Sequence, residues 1–161
     1  MSDLAKPAAF VAGVASHLLY FHRGEHHMYG LTYIWTTISA TVAGAILLKT
    51  QYNYAVTEAA TTSLAIVGVW LAGIYSSLLL FRMFLNPLNR FPGPFGARLS
   101  QFWWSSYIGG SSKAFLKSQD LHAKYGHFVR VTPHSLSITH PDGPEALYGM
   151  KSKCRKSEWF V

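Results

Sequence analysis

Apolar residues predominate in the first half of the chain in three long segments, and the charged residues are confined to the short stretches outside them. The segments cover residues 7–21, 30–48 and 59–81, and the second and third contain no charged residue. Each of these two is long enough to cross about 30 Å of hydrocarbon, at about 1.5 Å per helical residue. The pattern therefore predicts a membrane anchor over residues 1–85 with two to three transmembrane helices.

The first segment leaves two alternatives open. It is short for a span, which needs about 17–25 residues, so it either crosses the membrane or is a signal peptide. It ends in the bulky residues Leu19, Tyr20 and Phe21 and not in a small-residue cleavage site, which favours a membrane segment.

Small residues occur inside the second and third segments, at Ala43-Gly44-Ala45 and at Ala72-Gly73. In membrane helices such residues allow close packing, and hydroxyl side chains can bond back to the backbone. Both patches are predicted helix contacts. A buried hairpin of soluble helices is the alternative, but so small a chain has little else with which to cover it.

The apolar pattern stops at a proline-rich joint, Phe91-Pro92-Gly93-Pro94-Phe95-Gly96. Proline lacks the backbone N–H, and the residue before it is pushed out of the helical region. The third helix should therefore end near Asn86-Pro87. Residues 86–100 are predicted to form a stiff linker between the anchor and the rest of the chain.

Beyond the linker the pattern changes to short helix and strand signals. Residues 113–125 predict an amphipathic helix that Gly126 ends, with Phe115, Leu121 and Tyr125 on the buried face. Two short stretches with strand-like patterns of apolar and polar residues predict a β-hairpin. The elements that follow this helix are strands over 128–131 and 135–139 and a short helix over 145–148, opened by Pro141–Pro144 and closed by Gly149.

The outward face of the amphipathic helix is predicted to carry Lys113, Lys117, Asp120 and Lys124. The stretch Gly109–Ser112 resembles a turn and helix N-cap and lacks the Gly-Lys-Ser of a phosphate loop. An aromatic cluster before it suits a membrane interface or the core of the second half equally well. Its members are Phe102, Trp103, Trp104 and Tyr107.

The charges sharpen this division. Charged residues make up only 13% of the 161 residues, about half of the roughly 25% typical of globular domains. Residues 1–81 have no net charge, whereas residues 82–161 carry 11 basic and 4 acidic residues, 11 − 4 = +7. A basic segment beside an apolar anchor indicates the cytoplasmic side and attraction to anionic lipid. No motif supports nucleic acid as a partner.

Basic residues near the segment ends also predict an orientation. With three spans, Arg23, Arg82, Arg90 and Arg98 share one side, and Lys6 and Lys49 lie on the other. The chain start is then lumenal and the C-terminal half cytosolic. If the first segment does not span, the chain start is cytosolic too.

Few residues are candidates for metal binding, disulfide formation or catalysis. His22 and His26 are four apart and could share a metal on a helix, but no other ligand stands at a fitting spacing, and histidines also suit a membrane interface. Cys154 is the single cysteine, which excludes an internal disulfide and fits a reducing compartment. No catalytic, cofactor-binding or metal-ligating residue is assigned.

Over roughly residues 81–161 the order of motifs resembles a known family, with a weaker likeness in the apolar segments before them. These motifs are Arg90-Phe91-Pro92-Gly93-Pro94, Leu121–Gly126, Phe128–Pro133, Leu136–Thr139, Pro141–Gly149, and Lys153 with Lys156–Phe160. In this order they resemble the N-terminal part of a fungal membrane-bound cytochrome P-450, a haem-thiolate monooxygenase of the tryprostatin-hydroxylase, secondary-metabolism type. His127 and Thr132 depart from the pattern, where proline and glycine are usual.

The resemblance implies a mainly α fold, with membrane helices followed by an incomplete α+β subdomain over residues 101–161. It implies a joint at Pro92, Gly93 and Pro94 between anchor and catalytic domain, and a β-rich lobe built from the first helix and strand pair. For the full-length family it implies haem, a flavin-containing reductase as partner, the endoplasmic reticulum membrane, and hydroxylation of an organic substrate.

The family's haem-binding cysteine loop and oxygen-activation motifs have no counterpart in these 161 residues. By the resemblance Cys154 is not the thiolate ligand, because it lacks the glycine-rich frame of a haem loop. The expectation is therefore an N-terminal fragment that does not hold haem by itself. The alternative is a small multi-span membrane protein whose basic cytosolic tail binds a partner or anionic lipid.

Overall fold

The fold is taken from a computed structural model that describes residues 2–24, 26–109, 113–150 and 152–154. The chain divides into two compact units, Met1–Phe81 and Arg82–Val161. As expected, the protein is mainly α-helical, with one small two-stranded sheet.

The first unit consists of three long helices. Helix α1 covers Ser2–Ser16 and continues as a π-helical turn over His17–Phe21, followed by a 3₁₀ turn over His27–Tyr29. Helix α2 covers Gly30–Tyr52, and helix α3 covers Val56–Leu80. All three lie in stretches long and apolar enough to cross a membrane, namely Leu4–Phe21, Gly30–Tyr52 and Val56–Arg90. The first is longer than the pattern predicted, because the helix begins before Pro7.

Helices α1 and α3 pack at two glycines. A Cβ atom added at Gly73 would overlap the carbonyl oxygen of Phe10, and one added at Gly13 would overlap that of Trp70. Because neither residue has a side chain, the two backbones come into direct contact, as in other membrane helix pairs with small residues. The predicted contact at Ala72-Gly73 is confirmed, and Gly13 is its partner.

Helices α2 and α3 meet at a hydrogen bond. The Ser63 hydroxyl, which is buried, donates to the backbone oxygen of Thr41 at 2.7 Å. Gly44 packs against the same serine, as the Ala43–Ala45 patch predicted. Elsewhere threonine hydroxyls donate hydrogen bonds to backbone oxygens of their own helix. For example, the Thr37 hydroxyl donates to the Tyr33 oxygen at 2.7 Å.

Removing the Ser63 hydroxyl should weaken this helix pair. We expect Ser63→Ala to lower the free energy of unfolding of the first unit by about 1 kcal/mol, the usual value of an interhelical bond in membranes. Ser76→Ala is the matched control, because the Ser76 hydroxyl donates within its own helix, to the Gly73 oxygen. Unfolding in mixed detergent micelles, followed by tryptophan emission, measures both. Equal losses would contradict the role of Ser63.

The second unit is built on a small sheet. Strands β1, Phe128–Arg130, and β2, Leu136–Ile138, pair antiparallel with Val129 opposite Ser137. This confirms the predicted hairpin, with each strand shorter than predicted. Its core contains Leu121, Val129 and Val131. The helices are α4, Phe95–Leu99; α5, Gln101–Ile108; α6, Ala114–Tyr125; and α7, Gly143–Tyr148, with a 3₁₀ turn over Pro87–Arg90.

Helix α6 confirms part of the predicted face and corrects the rest. Leu121 is buried, Tyr125 packs on the core, and Gly126 follows the helix with φ +94°. Phe115, predicted to be buried, is 63% exposed. Lys117, predicted to point outward, donates from Nζ to the Tyr107 oxygen. Among the described residues, the helix contributes Leu121 and Tyr125, both from its C-terminal half, to the core around β1.

The aromatic cluster divides between the two predicted environments. Trp103, Trp104 and Tyr107 pack against the core, whereas Phe102 is 81% exposed. Helix α7 ends at Gly149 as predicted. The predicted N-cap at Gly110–Ser112 and the predicted segments at Lys151 and 155–161 lie outside the described residues.

Candidate functional site

The linker predicted over residues 86–100, which contains the proline-rich joint, begins where the third helix ends. Beyond α3 a π-helical turn continues over Phe81–Leu85, and the backbone then becomes extended at Asn86, with φ −69° and ψ 127°. Phe91, which also precedes a proline, is extended as well, with φ −92° and ψ 137°. Both breaks occur where a following proline excludes the helical conformation. The predicted helix end near Asn86-Pro87 is confirmed.

The joint is fixed to strand β1 by backbone contacts. The Arg130 N–H donates to the Pro92 oxygen at 2.9 Å. A Cβ atom at Gly93 would lie 2.5 Å from the Arg130 oxygen, so only glycine allows this approach. Asn86, which is buried, donates from Nδ2 to the Pro133 oxygen at 3.2 Å. The joint is therefore a packed part of the second unit.

The Arg130 side chain is fully buried beneath the joint. It donates from Nε to the Thr132 oxygen at 3.2 Å, from Nη1 to Asn89 Oδ1 at 2.5 Å, and from Nη2 to the Pro133 oxygen at 2.9 Å. All three acceptors are neutral. A buried guanidinium is usually paired with a carboxylate, but no Asp or Glu among the described residues forms a salt bridge with Arg130.

Two further arginines approach the same turn. Arg82 donates from Nη1 to the Leu99 oxygen at 2.6 Å, and its Nη2 lies 3.4 Å from His134 Nε2. Arg98 precedes Leu99 in the chain. The Nε atoms of both Arg82 and Arg98 are buried without a hydrogen-bond partner. We call Arg82, Arg98 and Arg130 the arginine cluster.

Titration reflects this concentration of positive charge. Burial, followed by the charges of Arg98 and Arg82, lowers the pKa of Arg130. Desolvation of the ring, followed by the charges of Arg82 and Arg130, lowers the pKa of His134, although this residue keeps contact with solvent. Since Arg82 can only donate, His134 Nε2 is the acceptor between them and the imidazole is neutral.

Acidification should destabilise the second unit through His134. Its pKa in the folded chain lies below the ordinary value of about 6.5, so the unfolded chain binds the proton more readily. Stability is therefore expected to fall as pH decreases below about 6.5, because the imidazolium would face Arg82 and Arg130. Denaturant unfolding at several pH values measures this. A His134→Asn variant should show a smaller decrease, and an unchanged decrease would contradict the prediction.

In the first unit the two histidines considered from sequence as a metal pair, His22 and His26, make other contacts. His22 makes an edge contact with the Phe81 ring, at 4.4 Å between centroids. His26 Nδ1 lies 2.7 Å from the Tyr33 hydroxyl, and its Nε2 lies 2.6 Å from the Arg23 oxygen. Both nitrogens of His26 are thus occupied by hydrogen bonds. Among the described residues, no group of three or more ligand side chains could hold a metal ion.

Cys154 does not fit a haem site. It is exposed, and its backbone N–H donates to the Ser152 hydroxyl at 3.2 Å. An open groove nearby is lined by Asp142, Glu145, Gly149 and other residues, and lacks the apolar enclosure that a haem needs. No residue of the described ranges is therefore assigned to a haem.

The sequence analysis did not find the arginine cluster. Arg98 follows Arg82 by 16 residues, and Arg130 follows Arg98 by 32. They come together because the joint packs onto β1. The one available signal was the excess of +7, which lies entirely beyond Phe81.

Comparison with known proteins finds fungal relatives that are similar over nearly all of this chain. The chain is 39% identical over 166 aligned residues to a cytochrome P450 monooxygenase of Purpureocillium lilacinum, covering 99% of this chain and 29% of the relative. It is 41% identical to a cytochrome P450 monooxygenase of Aspergillus versicolor, and the match covers 93% of this chain and 27% of the relative. It is 33% identical to the tryprostatin B 6-hydroxylase of Aspergillus fumigatus, and the match covers 94% of this chain and 28% of the relative.

No protein-family model and no solved structure matches the chain. The chain spans between a quarter and a third of the length of the curated relatives it matches, and it corresponds to their N-terminal region. The resemblance inferred over residues 81–161 extends through the apolar segments, where the sequence showed weaker likeness, since the alignments cover nearly the whole chain. By sequence, this chain is similar to the N-terminal region of fungal cytochrome P450 monooxygenases.

Proposed function

We propose that this chain is the membrane anchor and the beginning of the catalytic domain of a haem-thiolate monooxygenase. The full-length enzyme would bind haem, receive electrons from a flavin-containing reductase and hydroxylate an organic secondary metabolite. The described residues of this chain would contribute anchoring and one edge of the domain, without catalysis of their own.

One observation carries this proposal. Relatives named as monooxygenases match 93–99% of this chain but only 27–29% of their own length. The geometry adds support, because the joint is packed on β1 by the Arg130–Pro92 bond and by the close approach at Gly93. A joint packed in this way is part of the domain that follows it and not a loose tether.

The proposed location is the endoplasmic reticulum membrane, with the chain crossing it three times. The chain start would be lumenal and the basic half cytosolic, as the arginines near the segment ends favour. Glycosylation acceptor sites inserted before Leu4, and separately after Gly149, test this orientation in microsomes. Modification of the first site alone is expected. Modification of the second site would contradict the orientation.

The transcript beyond the Val161 codon tests the enzymatic part of the proposal. We expect an in-frame region that encodes the family's haem-binding cysteine loop. A stop codon followed by unrelated sequence would contradict it and would favour the alternative, a small membrane protein with a basic tail.

A second measurement concerns the chain itself. Membranes containing the 161-residue chain, supplied with haem, are reduced and exposed to carbon monoxide. We expect no red-shifted Soret band of a thiolate-ligated haem. The same measurement on the longer product is expected to give that band, and a band from the short chain would refute the view that it holds no haem.

A further inference from the structure

The arginine cluster contains more positive charge than the described part of the second unit balances. Arg82 and Arg130 lie at the turn over Thr132–His134, as the contact of Arg82 with His134 and the bonds of Arg130 to Thr132 and Pro133 show, and the charge of Arg98 also acts on Arg130. In the described ranges the one ion pair formed by an acidic side chain joins His140 to Asp142. Three guanidinium groups thus share one region without a described counter-charge.

The guanidinium groups of two members are held in place by the protein. Three acceptors fix Arg130, and the Leu99 oxygen fixes Arg82. Holding these groups in advance reduces the conformational entropy that a ligand would have to offset on binding. Arg98 is half-buried, and none of its side-chain nitrogens donates to a described residue, its Nε being buried as well. Buried polar atoms without a partner commonly mark the place of an ion or ligand.

Guanidinium groups favour one class of ligand. Their planar N–H donors match the oxygens of a phosphate group and bind it through paired, charge-assisted hydrogen bonds. Arg82 directly follows the apolar segment that ends at Phe81. If that segment crosses the membrane, the residue after it lies at the depth of the lipid headgroups.

We propose that Arg82 and Arg98, with the charge of the buried Arg130 adding to the attraction, form a binding site for a phosphate group, supplied by the headgroup of an anionic phospholipid. This inference depends on the membrane anchoring proposed above, but not on haem or on monooxygenase activity. The lipid would neutralise the cluster and link the proline-rich joint to the membrane surface.

The test uses the whole chain in nanodiscs of phosphatidylcholine containing phosphatidic acid. Native mass spectrometry after release counts the phosphatidic acid molecules that stay bound. We expect the unaltered chain to retain one, and Arg98→Gln to bind it about tenfold more weakly, the usual effect of losing a charge-assisted hydrogen bond. Arg98→Lys keeps the charge without the paired donors and should be intermediate.

Arg90→Gln is the matched control. Arg90 belongs to the same unit, is exposed, and lies over the Phe91 ring at 5.0 Å, so this change removes the same charge outside the cluster. It should leave lipid retention unchanged. Equal losses in Arg90→Gln and Arg98→Gln would overturn the proposal in favour of unspecific attraction. Unfolding transitions of all variants verify that each remains folded.

Soluble competitors distinguish the source of the anion. Inorganic phosphate is titrated against the chain in nanodiscs of phosphatidylcholine alone, and tryptophan emission reports binding. Binding of inorganic phosphate without retention of phosphatidic acid would keep the site but overturn the lipid as its source. Glutarate binding more tightly than phosphate would overturn the proposal in favour of a protein carboxylate, and binding of neither anion nor lipid would refute the site. Carbonate extraction shows separately whether the chain remains in the membrane, so a failure of anchoring is distinguishable.

Discussion

Substitution of Gly73 by alanine is expected to separate helices α1 and α3. The added methyl group would overlap the backbone oxygen of Phe10, and no change of side-chain rotamer can relieve a clash with the backbone. The helices would have to move apart along their contact, losing the dispersion contacts that hold membrane helices together. We expect a loss of about 3 kcal/mol in the free energy of unfolding, the upper range for overpacking a tight contact.

Gly68→Ala provides the matched control within the same helix. A Cβ atom at Gly68 meets nothing within 4 Å, so this change adds the same methyl group without a clash. Its effect should be neutral or slightly stabilising, because alanine is the better helix former. Unfolding in mixed detergent micelles compares the two variants. Equal midpoints for both would show that α1 and α3 do not meet at Gly73.

Substitution of Gly93 by alanine is expected to detach the joint from strand β1. The new Cβ atom would lie 2.5 Å from the Arg130 oxygen, well inside van der Waals contact. Moving the joint away would break the bond from the Arg130 N–H to the Pro92 oxygen and expose the buried arginine. The clash and the lost bond together should cost about 3 kcal/mol. Small units have little stability to spare, so most of the fold around β1 would be lost.

Hydrogen exchange at the Arg130 amide measures this directly, because in the described part of the chain this amide donates to the Pro92 oxygen of the joint. Faster exchange by about a hundredfold is expected in Gly93→Ala, which is what about 3 kcal/mol implies. Gly143→Ala is the control in the same unit, since its Cβ would make an ordinary 3.4 Å contact with Ile138. Unchanged protection of Arg130 in Gly93→Ala would contradict the packed joint.

The order of elements was predictable because local rules determine it. Apolar length predicts the long helices, proline before and glycine after an element predict its ends, and alternation predicts the hairpin. The end of the third helix at Asn86 and the positive φ of Gly126 follow from these rules. Even the Gly73 contact could be predicted, because small residues in an otherwise bulky helix mark close packing.

Which side chains are buried was less predictable, because burial depends on the element that packs against each face of a helix. Phe115 stands on the apolar side of its helix, yet it is exposed, whereas Leu121 and Tyr125 near the other end of the helix belong to the core or pack on it. Lys117 stands on the polar side, yet its ammonium group finds the Tyr107 oxygen. Periodicity indicates which residues share a face, but it does not indicate how far the neighbouring element extends.

By itself the sequence determined the three apolar segments, the joint after them, the basic second half and the resemblance to one family, because these depend on local composition and on motifs in order. Only the tertiary structure decided which residues meet. It brought Gly13 to Gly73, packed the joint on β1 through Gly93, and placed Arg82 and Arg130 at one turn. Contacts between residues far apart in the chain depend on the path of the backbone, and no local pattern encodes that path.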